Sequence, residues 1–135
     1  MLKDSVTFGE AMVMFVAGRP GALKDIDTFS RRLAGAEVNV AIGLARLGLS
    51  SGWISRLGED AFGDYTAEYL AREQVDTHGI TRDSRYPTGF QLKSKVLEGD
   101  PQVQYFRKGS AANTLGEADV DASYLTGFRH LHMTG

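Results

Sequence analysis

The sequence predicts an α/β fold: a mainly parallel, doubly wound sheet with covering helices, and a second, smaller sheet beside it. Three observations carry this. Apolar strand-like runs alternate with helix-period stretches in the order strand, helix, strand, helix, strand as far as Ile80, and parallel strands need such crossover connections. Thr88 to Val96 and Gln102 to Arg107 instead alternate apolar and polar residues on either side of Glu98-Gly99-Asp100-Pro101, the pattern of a hairpin with one wet face. Between the first strands and the first helix stands Ala34-Gly35-Ala36-Glu37-Val38-Asn39, a tight turn that gathers polar groups at a helix start.

Taken in order, Ser5 to Val16 is rich in β-branched and aromatic residues, and Gly9 interrupts it. We expect a strand, a bend where the backbone approaches something closely, and a second strand. Gly18-Arg19-Pro20-Gly21 reads as loop from its breakers, and 26–33 as a half-exposed strand. The helix after Gly35 carries Val40, Ile42, Leu44, Ala45 and Leu47 as its expected buried face, and Gly48 suits the left-handed position beyond its end. Gly35 lets a ligand approach, Glu37 occupies the first turn, where the dipole favours an anion, and Asn39 projects nearby. The same residues also suit an ordinary capped core helix.

Gly52 to Gly58 is a short strand, and Asp60 caps a second helix from Ala61 to about Gln74. Phe62, Tyr65, Tyr69 and Leu70 form its buried face, leaving Asp64, Glu68, Arg72 and Glu73 to water. Val75 to Ile80 turns into another strand. After the hairpin, the chain predicts a short helix near 118–125 and a buried strand over His130 to Met133, ending at Thr134-Gly135.

Composition narrows the function. A chain of 135 residues suits one domain, and 42% hydrophobic with 24% charged residues describes a folded rather than a disordered chain. A net charge of −2 calls for neither nucleic acid nor an anionic membrane. With no cysteine, thiol chemistry and disulfides are excluded. His78, His130 and His132 have no metal-ligand spacing. No run is long enough to span a bilayer and Met1-Leu2-Lys3-Asp4 does not open a signal peptide, so a cytoplasmic location is expected. No Gly-x-Gly-x-x-Gly follows the first strand, which argues against a dinucleotide-binding domain.

Several motifs together are more specific. Ala34-Gly35-Ala36-Glu37-Val38-Asn39-Val40-Ala41, then Leu47-Gly48, Leu57-Gly58-Glu59-Asp60-Ala61-Phe62-Gly63, Thr88-Gly89 and Tyr105-Phe106-Arg107-Lys108-Gly109-Ser110-Ala111 follow one another in order. In type, order and spacing they resemble the ribokinase-like (PfkB) carbohydrate kinases from about Val6 to Gly135. Phe8-Gly9-Glu10-Ala11-Met12 and the Tyr105 run are most similar to the 2-keto-3-deoxygluconate kinases, with fructokinases the nearest rival. Ribokinases proper tend to carry an aspartate where this chain has Met12, Val13, Met14 and Phe15, which counts against ribose.

The resemblance implies a ribokinase-like fold whose small sheet, with strands near 12–16, 26–33, 88–96 and 102–107, is a lid over a sugar and a possible homodimer contact. It implies that Gly35 offers backbone to the sugar and that Asn39 binds hydroxyls. Gln91, standing where the subgroup often has tyrosine, still offers an amide. Tyr105 lines the pocket and Arg107 holds a substrate carboxylate, because guanidinium pairs bidentately with that group. Without the family, Arg107 reads as a solvated charge and Tyr105 as packing. Glu37 and Asp60 keep structural roles, and Lys93, Lys95 and Lys108 read as edge-strand solubility charges.

The family uses ATP and Mg²⁺, and its catalytic aspartate sits in a Gly-Ala-Gly-Asp turn at a helix N-terminus. That turn does not occur in these 135 residues. The expectation is therefore the N-terminal, sugar-binding part of a sugar kinase, with no catalytic, metal or nucleotide contact of its own and no activity alone; the alternative is a non-catalytic sugar-binding or dimerising module, if the 135 residues act by themselves.

Overall fold

The computed structural model describes residues 1–134, so the end of the last predicted segment, Gly135, lies outside the described residues. Two four-stranded sheets form. The first has the order β5-β4-β1-β8 and is parallel throughout, from β1 (Lys3–Phe8), β4 (Ser51–Gly58), β5 (Ile80–Asp83) and β8 (Phe128–His132). The second has the order β3-β2-β6-β7, from β2 (Met12–Pro20), β3 (Phe29–Ala34), β6 (Phe90–Lys95) and β7 (Val103–Phe106). Its β2–β6 pair is parallel and the outer pairs are antiparallel.

Helix α1 (Ala36–Arg46) and helix α2 (Ala61–Arg72) cover one face of the parallel sheet. Val38, Ala41, Ile42 and Leu70 pack there on Trp53, Leu57 and Val75. The other face holds Val6 and Ile54 against Phe128, Tyr124 and Leu125, the last two from the short helix α3 (Ala122–Leu125). Burial of this apolar area supplies the driving force. Among the described residues no helix is long and apolar enough to cross a membrane.

The α1 face is rotated from the expected one: Val38 and Ala41 are fully buried, whereas Leu47 is 80% exposed. Leu47 lies beyond the last helical turn, where Gly48, at φ +86°, turns the chain away. The Gly48 N–H donates to the Ala45 carbonyl and the Leu49 N–H to that of Leu44, the paired bonds of a Schellman ending. Glu73 is not left to water either. Its carboxylate receives the Arg46 guanidinium at 2.8 and 2.6 Å and so ties α2 to α1.

Other expectations give way to tertiary pairing. Gly18, Arg19 and Pro20 belong to β2 rather than to a loop, because β3 and β6 flank this strand. The Gly18 N–H donates to the Thr28 carbonyl, and a register shift between Val16 and Pro20 absorbs the breakers. The strand expected over 26–33 begins only at Phe29; a 3₁₀ turn at Leu23–Asp25 precedes it and Ile26 is buried. The helix expected near 118–125 is split into a 3₁₀ turn at Glu117–Asp119 and α3, with Asp121 capping α3 through Ser123 and Tyr124 N–H groups. Strand β8 is an edge rather than a buried strand, and Arg129, His130 and Leu131 are exposed. Lys93 and Lys95 lie on β6, which is interior to its sheet, so they are not edge charges.

The Gly58-Glu59-Asp60-Ala61-Phe62-Gly63 motif joins the two sheets. The Asp60 carboxylate caps α2 by accepting from Gly63 N–H at 2.8 Å, and its second oxygen accepts from Thr88 N–H at 2.8 Å on the way to β6. Burial pushes the Asp60 carboxyl up, but these N–H bonds outweigh it and hold the group below its usual value. A methyl on Gly63 would collide with the Gly58 carbonyl oxygen. Phe62 leaves the same turn to join Phe15 and Phe90 at ring separations of 5.5 and 5.6 Å, and Phe90 stacks on Phe106 at 4.7 Å.

Candidate sugar site

Chain passages at 9–11, 34–36, 84–89 and 107–111 meet past the end of β1: Gly35 lies against the Glu10 carbonyl, the Ser110 hydroxyl donates to the Glu10 carboxylate, and the Ala111 N–H donates to the Pro87 carbonyl. Open α/β sheets bind ligands outside the carboxyl ends of their strands. Gly9 is needed there because a Cβ would stand 2.5 Å from the Glu37 carboxyl. Gly35 holds φ +148°, and a Cβ on it would stand 2.6 Å from the Glu10 carbonyl oxygen. Both glycines therefore allow α1 to start against the first crossover.

No side chain caps α1. Its first-turn N–H groups therefore have no side-chain acceptor at the N-cap and carry the dipole's partial positive charge. Glu37, in that turn, is only 8% exposed. One of its oxygens accepts from the Thr134 N–H at 3.2 Å and from the Thr134 hydroxyl, which locks the chain after β8 onto α1. The structural role expected of Glu37 is therefore specific: it joins the helix start to the last strand.

Tyr105, Gln91 and Arg107 come together on the second sheet. Gln91 lies directly opposite Tyr105 in the β6–β7 register, and Gln91 is buried while Tyr105 is 54% exposed. The Arg107 guanidinium carbon stands 4.9 Å from the Tyr105 ring centre, a cation–π contact. Beneath it, Gly89 leaves room: a Cβ there would be 3.2 Å from Arg107 Cβ. Arg107 Nη1 donates to Glu10 Oε1 at 3.4 Å, and Ser110 Oγ donates to Glu10 Oε2 at 3.3 Å. Through Glu10 the Tyr105–Arg107 group thus meets the start of α1 at Gly35. Asn39 lies apart from this group, in a shallow depression with Leu33, Ile42 and Arg46.

Glu10 and Ser110 are the members of this cluster that sequence reasoning did not single out. Both stand within motifs that carry the family resemblance, but nothing in their spacing directs them to Arg107. A cleft of about 720 Å³ opens at the amino ends of the strands around Lys3, Asp76 and Thr81. Asp76 in it is already paired with Lys3 and hydrogen-bonded to His78, and the cleft faces away from the ends where such sheets bind ligands.

Among the described residues no three His, Asp or Glu side chains are grouped to hold a metal ion, and no Gly-Ala-Gly-Asp turn occurs in the sequence.

Comparison with known proteins agrees with this architecture. The family model described as "pfkB family carbohydrate kinase" matches residues 2–135. A 2-dehydro-3-deoxygluconokinase from Bacillus subtilis (strain 168) is 52% identical over 136 residues, covering 100% of this chain and 42% of that protein. The crystal structure of a PfkB protein from Polaromonas sp. JS666 superposes with a TM-score of 0.93 at 53% identity, over 96% of this chain and 44% of that one. An uncharacterized sugar kinase from Pyrococcus horikoshii, solved in complex with ATP, superposes with a TM-score of 0.88 at 31% identity, over 96% and 42% of the two chains. This chain therefore spans less than half the length of these relatives. With the family model matched along the sequence and the ribokinase-like architecture in place, the chain belongs to the pfkB family of carbohydrate kinases.

Proposed function

We propose that these residues form the sugar-binding part of an ATP-dependent kinase for 2-keto-3-deoxygluconate or a related sugar acid. The observation that carries this reading is Arg107, whose side chain is 53% exposed beside an uncapped helix N-terminus and holds one long ion pair. A guanidinium in that condition retains donors for a bidentate carboxylate. Tyr105 then flanks the sugar, Gln91 serves hydroxyls, and the N–H groups after Gly35 face electron-rich oxygens; Asn39, in its separate depression with Leu33 and Arg46, takes no part. The second sheet acts as a lid, and its open edges β3 and β7 are where a second copy would pair.

In this reading the base and the nucleotide and Mg²⁺ contacts belong to the part of the relatives' length that this chain does not span. Phosphoryl transfer rests on positioning and charge stabilisation, so the 135 residues alone bind sugar without turning it over. The fructokinase alternative differs in one respect: a neutral sugar gives Arg107 no carboxylate to hold.

Calorimetric titration with 2-keto-3-deoxygluconate and with fructose separates the two. The acid should bind saturably, and Arg107→Ala should weaken it by about 1.5–3 kcal/mol, the worth of a charged hydrogen-bonded contact. Fructose binding at least as tightly, with Arg107→Ala without effect, would overturn the sugar-acid reading.

A further inference from the structure

We infer that Glu10 is a positioning residue that aims the Arg107 guanidinium, occupying Nη1 and leaving the Nε–Nη2 edge for a ligand carboxylate. The inference rests on the reading of Arg107 as the cation that receives a sugar acid.

The asymmetry of the pair supports it. Glu10 is the better fixed partner: its side chain is 22% exposed against 53% for Arg107. Its carbonyl oxygen lies under Gly35, and the next residue, Ala11, is buried at 1% exposure. Oε2 is held by the hydroxyl of Ser110, itself 2% exposed. Only Oε1 reaches Arg107, and it does so at Nη1. Among the described residues Glu10 is the one hydrogen-bond partner of the Arg107 side chain. The Tyr105 ring supplies a second contact at 4.9 Å. A guanidinium has five N–H donors in a rigid fork. Fixing it at one terminal nitrogen and against one ring sets its plane, and the side edge remains for two parallel N–H···O bonds.

This arrangement also bears on selectivity. Glu10 already offsets the Arg107 charge, so a neutral sugar meets no bare cation. A carboxylate arriving at the free edge meets two oriented donors whose ordering cost has been met before binding. If Glu10 instead only competed with the ligand for Arg107, removing it would strengthen sugar-acid binding. Positioning and competition therefore differ in sign.

The test uses Glu10→Ala and Glu10→Gln in the 135-residue chain, titrated with 2-keto-3-deoxygluconate and with fructose. In parallel, the Nε–Hε resonance of Arg107 is recorded without sugar and assigned by its loss in Arg107→Lys. An amide oxygen can still accept from Nη1, so Glu10→Gln should keep the wild-type resonance and the wild-type acid-to-fructose affinity ratio. Glu10→Ala should move the resonance and lower that ratio about tenfold, the scale of one lost charged hydrogen bond. A higher ratio in Glu10→Ala would identify a competitor, and equal losses in both variants would identify a charge or folding effect; either overturns the inference. If the wild-type chain takes up no sugar acid, the substrate reading falls. The inference about Glu10 is then decided by the resonance alone, and an unmoved signal in Glu10→Ala overturns it.

Discussion

Removing the Asp60 carboxylate should loosen the joint between the two sheets by a calculable amount. In Asp60→Ala, helix α2 loses its cap at Gly63 N–H, worth about 1 kcal/mol. The Thr88 N–H, on a residue that is 5% exposed, loses its acceptor as well, and an unsatisfied buried donor costs about 1–3 kcal/mol. The sum is roughly 2–4 kcal/mol. Asp60→Ser separates the parts, since a hydroxyl can reach Gly63 but not Thr88 as well; it should recover about 1 kcal/mol of the loss. Trp53 is the single tryptophan and is fully buried, so urea unfolding can be followed by its fluorescence. The Asp60 carboxyl is held below its usual value of 3.8 in the folded chain. Its contribution is therefore complete above that value and is lost as pH falls through the lower, folded one. The gap between wild type and Asp60→Ala should narrow in acid. Equal stability of the Ala and Ser variants, or a loss below about 0.5 kcal/mol for Ala, at the bottom of the range for a cap alone, would refute the reasoning.

Two further outcomes follow from the same framework. Gly63→Ala should cost about 3 kcal/mol or more, because its methyl meets the Gly58 carbonyl oxygen, which Arg82 already holds at 2.9 and 3.1 Å; a wild-type urea midpoint would contradict that packing. Burial pushes the Asp76 carboxyl up, but Lys3 and the His78 N–H outweigh it and lower the group to about 2. Asp76 thus stabilises the fold above its unfolded value of 3.8 and ceases to do so as pH falls towards about 2; Asp76→Asn should flatten the dependence of the unfolding midpoint on pH over that interval, measured by Trp53 fluorescence.

The parallel sheet was legible from the alternation of strand-like and helix-period stretches as far as Ile80 rather than from β5 itself, whose Ile80-Thr81-Arg82-Asp83 carries one apolar side chain. Asp60 was equally legible as a cap, since its effect is local. What failed were judgements that depend on neighbours. Gly18 to Pro20 look like a loop in isolation, yet β2 has a partner on both sides, and pairing overrides their breaker character. The strand His130 to Met133 looks buried from its composition, but β8 has a partner on one side only. In the site, Tyr105 on β7 and Arg107 just past its end are two residues apart, the spacing that brings extended-chain side chains to one side, which sequence spacing reveals. The approach of Glu10 and Ser110 to Arg107 depends on how the crossovers stack, and no local pattern encodes that.

The pairing of β1 with β8 has a consequence for how the chain folds. Ser5 lies beside His130 and Thr7 beside His132, so segments far apart in sequence are neighbours. Contacts of such sequence separation are slow to form, because loop closure must precede any gain from them. During synthesis, at about 5–20 residues per second, β4 can pair with one side of β1 while the other side waits several seconds for β8. Over that interval the β1 edge is open to other chains. The Glu37–Thr134 bonds close only once β8 has been made, so the start of α1 takes its final setting from a residue 97 positions further along the chain.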